Sequence, residues 1–488
     1  MSHRVSAVLG LLLVVACGGG SNDGGGGGPS PTGVASVTIL PGSASLTPGR
    51  ATQFTATVKD AAGATLDSAV TWSSDSSAVA SVSSDGLVVG RGAGTTLVIA
   101  SSGAKSDTAT VTVTLESSGW VEVATGDQTT CARTGAGIAY CWGYNDLGTL
   151  GNGSSGNQTF DSPQLTTGGH VFATLTAKFV HVCGLSGVTT YCWGYNSSGQ
   201  LGVSVSAVDH RSSPVVVSGG QAFASVTAGG LHTCALTSDG AAFCWGRNNW
   251  GQLGNGASST GAIPTPVAVL GGHTFVQLAL GDSHTCGRTP ANIVYCWGLG
   301  FQGQLGVASL VGVTQANPIP LVAANAQSFS SIIAGIDHTC GLTDAGAALC
   351  WGDNFFGQLG TALNNGSLTG VAAPQAVSGG HRFLSLTAGS FHSCGLTSNG
   401  AAWCWGYNQY GQLGTSTGNG TDTPVPAPEQ VTGGRTFSAL SAGGNATCGL
   451  TSTGQLACWG SNLYGQLATA TNSGTMAANP TPVLIALP

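Results

Sequence analysis

Cysteine and histidine carry the reactive chemistry available to this chain. Fourteen of its fifteen Cys form seven sequence pairs: Cys131 with Cys141, Cys183 with Cys192, Cys234 with Cys244, Cys286 with Cys296, Cys340 with Cys350, Cys394 with Cys404, and Cys448 with Cys458. The second member always stands directly before Trp-Gly. His181, His232, His284, His338 and His392 lie two residues before the first Cys of five pairs. On a strand that spacing puts His and Cys on one face, with the partner Cys alongside. Two chemistries follow, a Cys/His metal site or a disulfide. The Cys pair persists where Thr129 and Ala446 replace the His, so Cys does not follow His. We therefore expect seven disulfides, no metal and no cofactor. Symmetry could gather the five His into a ring for metal or anions. The simpler expectation is an imidazole bonded to the adjacent turn backbone, five times over. Asp282 and Asp337 flank two of these His, too few for a repeated acid–base pair. The recurrent Gly-Gln-Leu-Gly lacks the Lys and Ser/Thr of a phosphate loop, so its Gly read as turn formers. Catalysis needs a nucleophile, a base and an orienting group that do not simply repeat. None stands out, and we expect no enzyme.

The elements that hold the Cys pairs can be worked out from spacing. In six repeats the paired Cys are ten residues apart. Placing Cys234 opposite Cys244 leaves a three-residue loop, Ser238-Asp239-Gly240. Such a loop needs a last residue tolerant of positive φ, and the six loops end in Gly137, Gly240, Asn292, Gly346, Gly400 and Gly454. The second pair is nine apart, which shortens its loop to Gly187-Val188, with Gly first as a type II′ turn requires. Each hairpin is preceded by a strand such as 223–228 or 383–388 and followed by one such as 214–217, 266–270 or 482–487. Seven units of about four short strands, with no helical period, predict a β-propeller over residues 120–488.

The strings GLHTCALTSDGAAFCWGRNNWGQLG (230–254) and SFHSCGLTSNGAAWCWGYNQYGQLG (390–414) resemble the repeat of the regulator of chromosome condensation family. The resemblance covers all seven units and implies a seven-bladed propeller. Thr149, Gly300 and Ala468 depart singly from the motif, in place of Gln, Asn and Gly. Residues 34–116 have short β-branched runs between turn residues, and the string at 70–100 resembles the bacterial immunoglobulin-like domain of group 2. The runs and turns predict a β-sandwich with Trp72 as its core aromatic, and the resemblance implies a spacer or an adhesion module, of which a spacer is expected first. The expected fold is all-β, a sandwich followed by a propeller.

An apolar run ends Leu13-Val14-Val15-Ala16 before Cys17, too short to span a bilayer. It resembles a lipoprotein signal peptide over 1–16, with Cys17 as the lipid-modified residue and 17–33 as a Gly-rich tether. Gly18 in place of Asp resembles outer-membrane sorting, with the body on the cell surface or, alternatively, facing the periplasm.

Charged residues make up only 6% of the chain, the net charge is −7, and Gly contributes 80 of 488 residues. That leaves no basic footprint for nucleic acid and no salt-bridged helices. Nuclear members of the resembled family are guanine-nucleotide exchange factors; an exported, acidic chain is expected to meet neither GTPase nor chromatin. The residue before Gly-Gln-Leu, or its variant, varies among the repeats: Leu147, Ser198, Trp250, Gln302, Phe356, Tyr410 and Tyr464. Trp250, Phe301, Phe355, Phe356, Tyr410 and Tyr464 are candidate partner-binding residues, with packing on the neighbouring blade as the alternative. The Trp at 142, 193, 245, 297, 351, 405 and 459 are the same in every repeat and belong to the blade core. The functional expectation is a lipid-anchored platform for a protein or glycan. A propeller-type inhibitor of a secreted or cell-wall enzyme, as in β-lactamase inhibitory relatives, is the alternative; an enzyme on the propeller axis ranks last.

Overall fold

The computed structural model describes residues 33–47, 50–91, 94–114, 119–323 and 326–488. The signal segment, Cys17 and all of the tether before Gly33 lie outside the described residues. No described helix is long and apolar enough to cross a membrane.

Residues 34–114 form three small sheets around one core. The largest runs Ser43–Leu46, Lys105–Val113, Gly94–Ser102, Thr71–Ser74, with its first pair parallel. Strict alternation in Lys105–Val113 turns Ala109, Val111 and Val113 inward. Phe54, Val88 and Val98 are fully buried beside them. Trp72 is only half-buried, packed on the edge of this core. The shorter Phe54 fills the centre that the sequence assigned to the indole.

Beyond residue 119 the chain forms seven four-stranded antiparallel sheets, each from consecutive strands. The third is typical: Ser225–Ala228, His232–Leu236, Ala242–Asn248 and Ser259–Ala268. In every sheet the paired Cys are register partners in the central hairpin. All seven expected disulfides are formed. Cys131 is bonded to Cys141, Cys183 to Cys192, Cys234 to Cys244 and Cys286 to Cys296. Likewise Cys340 is bonded to Cys350, Cys394 to Cys404 and Cys448 to Cys458. Their Cα–Cα distances are 4.0–4.1 Å. Asn292 takes φ 63° and Gly240 φ 84° at the ends of their three-residue loops, while Gly187 takes φ 61° in the two-residue loop. The turn chemistry thus sets the register that lets the sulfurs meet.

The first strands of successive sheets touch in a closed circuit, Trp120–Thr125 meeting both Thr174–Lys178 and Ala439–Gly443. Two bonds repeat around this ring. Each core Trp donates its indole N–H to a carbonyl of the preceding sheet: Trp245 to Gln200, Trp297 to Gln252, Trp193 to Thr149. Trp142 closes the circuit with the same bond to Gln466, at 2.9 Å. On the opposite face the six three-residue hairpin loops accept from the next sheet, as Phe275 N–H to Gly240 O and, at closure, Trp120 N–H to Gly454 O. All seven core Trp are fully buried. In six sheets a buried Phe lies 5.4–5.8 Å from the indole, and Trp120 takes that place in the first.

Candidate functional site

Antiparallel order places the turns between strands one and two, and the loops between strands three and four, on the same face of the ring. The outer loops share one scaffold. In the third sheet Asn248 Oδ1 accepts the Leu253 N–H, and its Nδ2 donates to Ala257 O. Gln252 Oε1 accepts the Trp250 N–H at 3.0 Å. Gly251, at φ 77°, lies where a Cβ would come within 2.5 Å of Pro318 in the next sheet. The same Gln clamp holds the backbone of Ser198, Gln302, Phe356, Tyr410 and Tyr464. Backbone bonds alone fix these positions, so their side chains can vary without disturbing the loop. In the first sheet Thr149 replaces the Gln and bonds Tyr144 O and Thr129 Oγ1 instead. Gly300 replaces the Asn, and Leu310 from a short 3₁₀ turn packs into the space.

All six candidate aromatic residues are half-buried, and the two readings offered for them meet in one arrangement. Phe356 packs on Phe355 at 4.9 Å and, across the sheet boundary, on Tyr407 at 4.5 Å and Phe391 at 5.3 Å. Tyr410 extends this group through Tyr407. Tyr464 reaches Tyr144 of the first sheet at 5.3 Å. Trp250 and Phe301 stand outside that cluster. Phe391 and Tyr407 were missed because neither lies at the variable position before Gly-Gln. Phe356 and Tyr464 therefore pack on the neighbouring sheet, while Phe355 and Tyr410 join them through rings of their own sheets.

The five His differ from expectation in their partner. Each is fully or almost fully buried, and its Nε2 meets a hydroxyl of the next sheet, not the adjacent turn backbone. The pairs are His181–Thr233, His232–Thr285, His284–Thr339, His338–Ser393 and His392–Thr447, at 2.8–3.0 Å. Those hydroxyls in turn donate to the carbonyls of Gln200, Gln252, Gln304, Gln358 and Gln412. Burial pulls the imidazoles far below their usual value, to about 3 for His181, His232, His338 and His392. They are neutral struts between sheets. Among the described residues no group of three or more His, Cys, Asp or Glu is placed to hold a metal.

The sequence reading also missed a charged cluster on the axis. Lys178 stands where the other six repeats have Gly126, Gly229, Gly281, Gly335, Gly389 and Gly443, and that break was its signal. Its Nζ donates to Leu280 O at 2.7 Å, Ala334 O at 2.6 Å and Gly335 O at 3.3 Å. Asp127, Asp282 and Ser390 share its surroundings, around a cavity of about 10 Å³. Burial raises Asp127 to about 6, against the opposing pull of Lys178. Burial likewise raises Asp337, which accepts from Gln304, to about 7. The axial cavity has room for about one water.

Comparison with known proteins places these features. A profile of the RCC1-like domain matches residues 189–487, and one of the regulator of chromosome condensation (RCC1) repeat matches residues 120–149. The bacterial Ig-like domain (group 2) profile matches residues 33–113. The ultraviolet-B receptor UVR8 of Arabidopsis thaliana is 33% identical over 295 residues, 59% of this chain and 64% of that protein. The E3 ubiquitin-protein ligase HERC2 of Homo sapiens is 31% identical over 378 residues, 74% of this chain and 7% of that protein. The chain thus spans less than two thirds of the length of either relative. In fold it is similar to Prp20p from Saccharomyces cerevisiae, with TM-score 0.62 at 20% identity over 76% of this chain and 87% of that one. It is also similar to human WBSCR16, with TM-score 0.63 at 21% identity over 72% and 95%. With the RCC1-like profile covering well over half of its length, the chain belongs to the RCC1-like domain family.

Proposed function

We propose that this chain is a non-enzymatic binding protein of the cell envelope. It is anchored by lipid at Cys17, held off the membrane by the tether and Ig-like domain, and engages a protein through the loop-bearing face of its propeller. One observation carries the reading: in five of the seven sheets the same Asn/Gln clamp presents side chains that vary, Ser198, Trp250, Phe356, Tyr410 and Tyr464. A fold maintained for its own sake gains nothing from such variation, whereas a partner surface is made of it. The similar structure of Prp20p was described with its binding properties to Gsp1p and histones, which supports use of this fold as a protein platform. The axial cavity, about one water in size, counts against the alternative of an enzyme acting on the axis.

The test uses the full chain, exported and oxidised in a double-membrane bacterium. Labelling with a fatty-acid probe should be lost in Cys17→Ser, and external protease should reach the propeller in intact cells. Cross-linking from the loop-bearing face should capture an envelope or secreted protein, and Trp250→Ser with Tyr410→Ser should abolish capture. Stoichiometric inhibition of a captured hydrolase would favour the inhibitor alternative. Capture unaffected by these substitutions would remove the face from the proposal.

A further inference from the structure

Charge divides unevenly between the two faces of the ring. Among residues 119–488, eight carboxylates and three cations lie in the turns and loops of the aromatic face or in the strand segments next to them, against four and four toward the hairpin face. Two of those three cations are already engaged by backbone. Lys178 is held by three carbonyls, and Arg211 donates to Ser204 O, Val208 O and His210 O. The same face shows apolar side chains on its outer loops. Val205, Val208, Val313, Leu363, Leu368 and Met476 are exposed, Leu368 by 76% and Met476 by 69%. The carboxylates of Asp127 and Asp282 line the axial cavity on the same face, with Asp337 within electrostatic reach of Asp282.

We propose that this face takes a protein segment carrying Lys or Arg among apolar side chains. The inference rests on the platform reading above and adds the partner's chemistry. The apolar loops supply the desolvated contact area, and the inner carboxylates supply the field that steers and orients a cation toward the axis. A neutral or acidic partner would desolvate Asp282 and Asp337 without a counter-charge, which opposes binding. A second copy docked face to face would set two acidic surfaces against one another.

The probes are two synthetic amphipathic helical peptides with the same apolar face, one with Lys and one with Glu on the polar face. Binding to the full oxidised chain at pH 8, where Asp337 is ionised, is followed by Trp fluorescence and calorimetry. The Lys peptide should bind at low salt and weaken about tenfold when salt rises from 50 to 500 mM, since exposed charges are screened over that range. Asp282→Asn with Asp337→Asn should weaken it about fivefold. Leu363→Ser with Leu368→Ser should weaken it similarly without altering its salt dependence. Asp239→Asn with Asp344→Asn, on the hairpin face, changes net charge equally and should leave binding unchanged. Equal loss from both carboxylate pairs would show a net-charge effect and overturn the proposal, as would equal affinity for the Glu peptide or no binding of either. If the natural partner is captured through Trp250 and Tyr410 yet proves acidic, the platform reading stands and this inference fails.

Discussion

His232 Nε2 lies 2.8 Å from the Oγ1 of Thr285 in the next sheet, and Thr285 gives its own proton to Gln252 O, also at 2.8 Å. A hydroxyl already donating can only accept, so Nε2 carries the hydrogen and Nδ1 is bare. Nδ1 is buried without a hydrogen-bond partner. Gly229 packs against that side of the ring, where a Cβ would come within 2.6 Å of Cε1. Before His232, His284, His338 and His392 the Gly three residues earlier leaves the space that the ring occupies.

A double-mutant cycle isolates this bond. His232→Ala should destabilise by about 2–3 kcal/mol through cavity and lost hydrogen bond. Thr285→Ala should cost about 1 kcal/mol, with a coupling of about 1 kcal/mol between them. Denaturant unfolding of the oxidised chain measures all three, and zinc should change none. A coupling near zero would mean that the contact contributes packing alone.

Acid should unfold this protein through the same residues. The imidazoles are depressed in the folded state, so their stabilisation is complete above about 6.5 and is lost as pH falls toward 3. His284 is displaced in the same direction. Asp127 and Asp337, raised by burial to about 6 and about 7, act oppositely: their contribution is present at low pH and lost as pH rises through those values. Near pH 5 the unfolded chain binds roughly five extra protons at His, and the folded chain about two at these Asp. Stability should then fall on the order of 4 kcal/mol per pH unit. Unfolding midpoints at pH 7, 6 and 5 decide the matter; a flat profile would show that the His are not buried neutral.

The disulfides join neighbours already held by a hairpin, so each should contribute less than the roughly 2.5–3 kcal/mol of the chain-entropy estimate for so short a loop. Cys234→Ala with Cys244→Ala should lower stability by about 1–2 kcal/mol while leaving the ring closed. Native protein should resist reductant, because all fourteen paired Cys are fully buried. Thiol titration after denaturation without reductant should find none of the fourteen free, and mass spectrometry should place each bridge within one hairpin.

Residues whose role is local were readable in sequence. The loops ending at Gly240 and Asn292 announce their own turn geometry, and the Cys register follows from loop length: the shorter loop at Gly187 still sets Cys192 opposite Cys183. Contacts between repeats were harder, because each partner lies about 53 residues away and no periodicity within a strand reports it. Even so, a signal was present. His occurs in five of the six repeats whose successor has Thr or Ser directly before its first Cys, namely Thr233, Thr285, Thr339, Ser393 and Thr447; where the successor has Val182 the position holds Thr129, and the exception is Ala446, whose successor has Thr130. Lys178 was equally visible as a break in a run of Gly. What no pattern conveyed was its reach across the axis to the fourth and fifth sheets.

One departure from the repeat should be reversible at a gain. The last Gly of the outer-loop motif takes positive φ in six sheets, as Gly254 at 68° and Gly414 at 72°, and Ala468 is held there at 49°. An L side chain in that region costs about 1–2 kcal/mol, partly offset by the greater freedom of Gly in the unfolded chain. Ala468→Gly should raise stability by about 0.5–1 kcal/mol. Gly414→Ala should lower it by about 2 kcal/mol, since its Cβ would also meet Val431 Cγ1 at 2.8 Å. A gain absent from thermal and denaturant unfolding alike would show that the seventh loop has relaxed around Ala468.

Lys178 makes the sharpest prediction because it is the one axial cation among the described residues. Its ammonium bridges carbonyls of the fourth and fifth sheets from the second. Burial pulls it down to about 8, while Asp127 and Asp282 hold it up. Removing the charge strands buried carboxylates as well as three carbonyls. Lys178→Met should therefore destabilise by about 3–5 kcal/mol, as for one half of a buried pair. It should also push Asp127 further up from about 6, because its opposing cation is gone. Neutralising the carboxylate as well should recover part of the loss: Lys178→Met with Asp127→Asn should be more stable than the sum of the single effects by about 1–2 kcal/mol. Strict additivity would show that Lys178 acts through its carbonyl bonds alone, and that the axial charges are independent of one another.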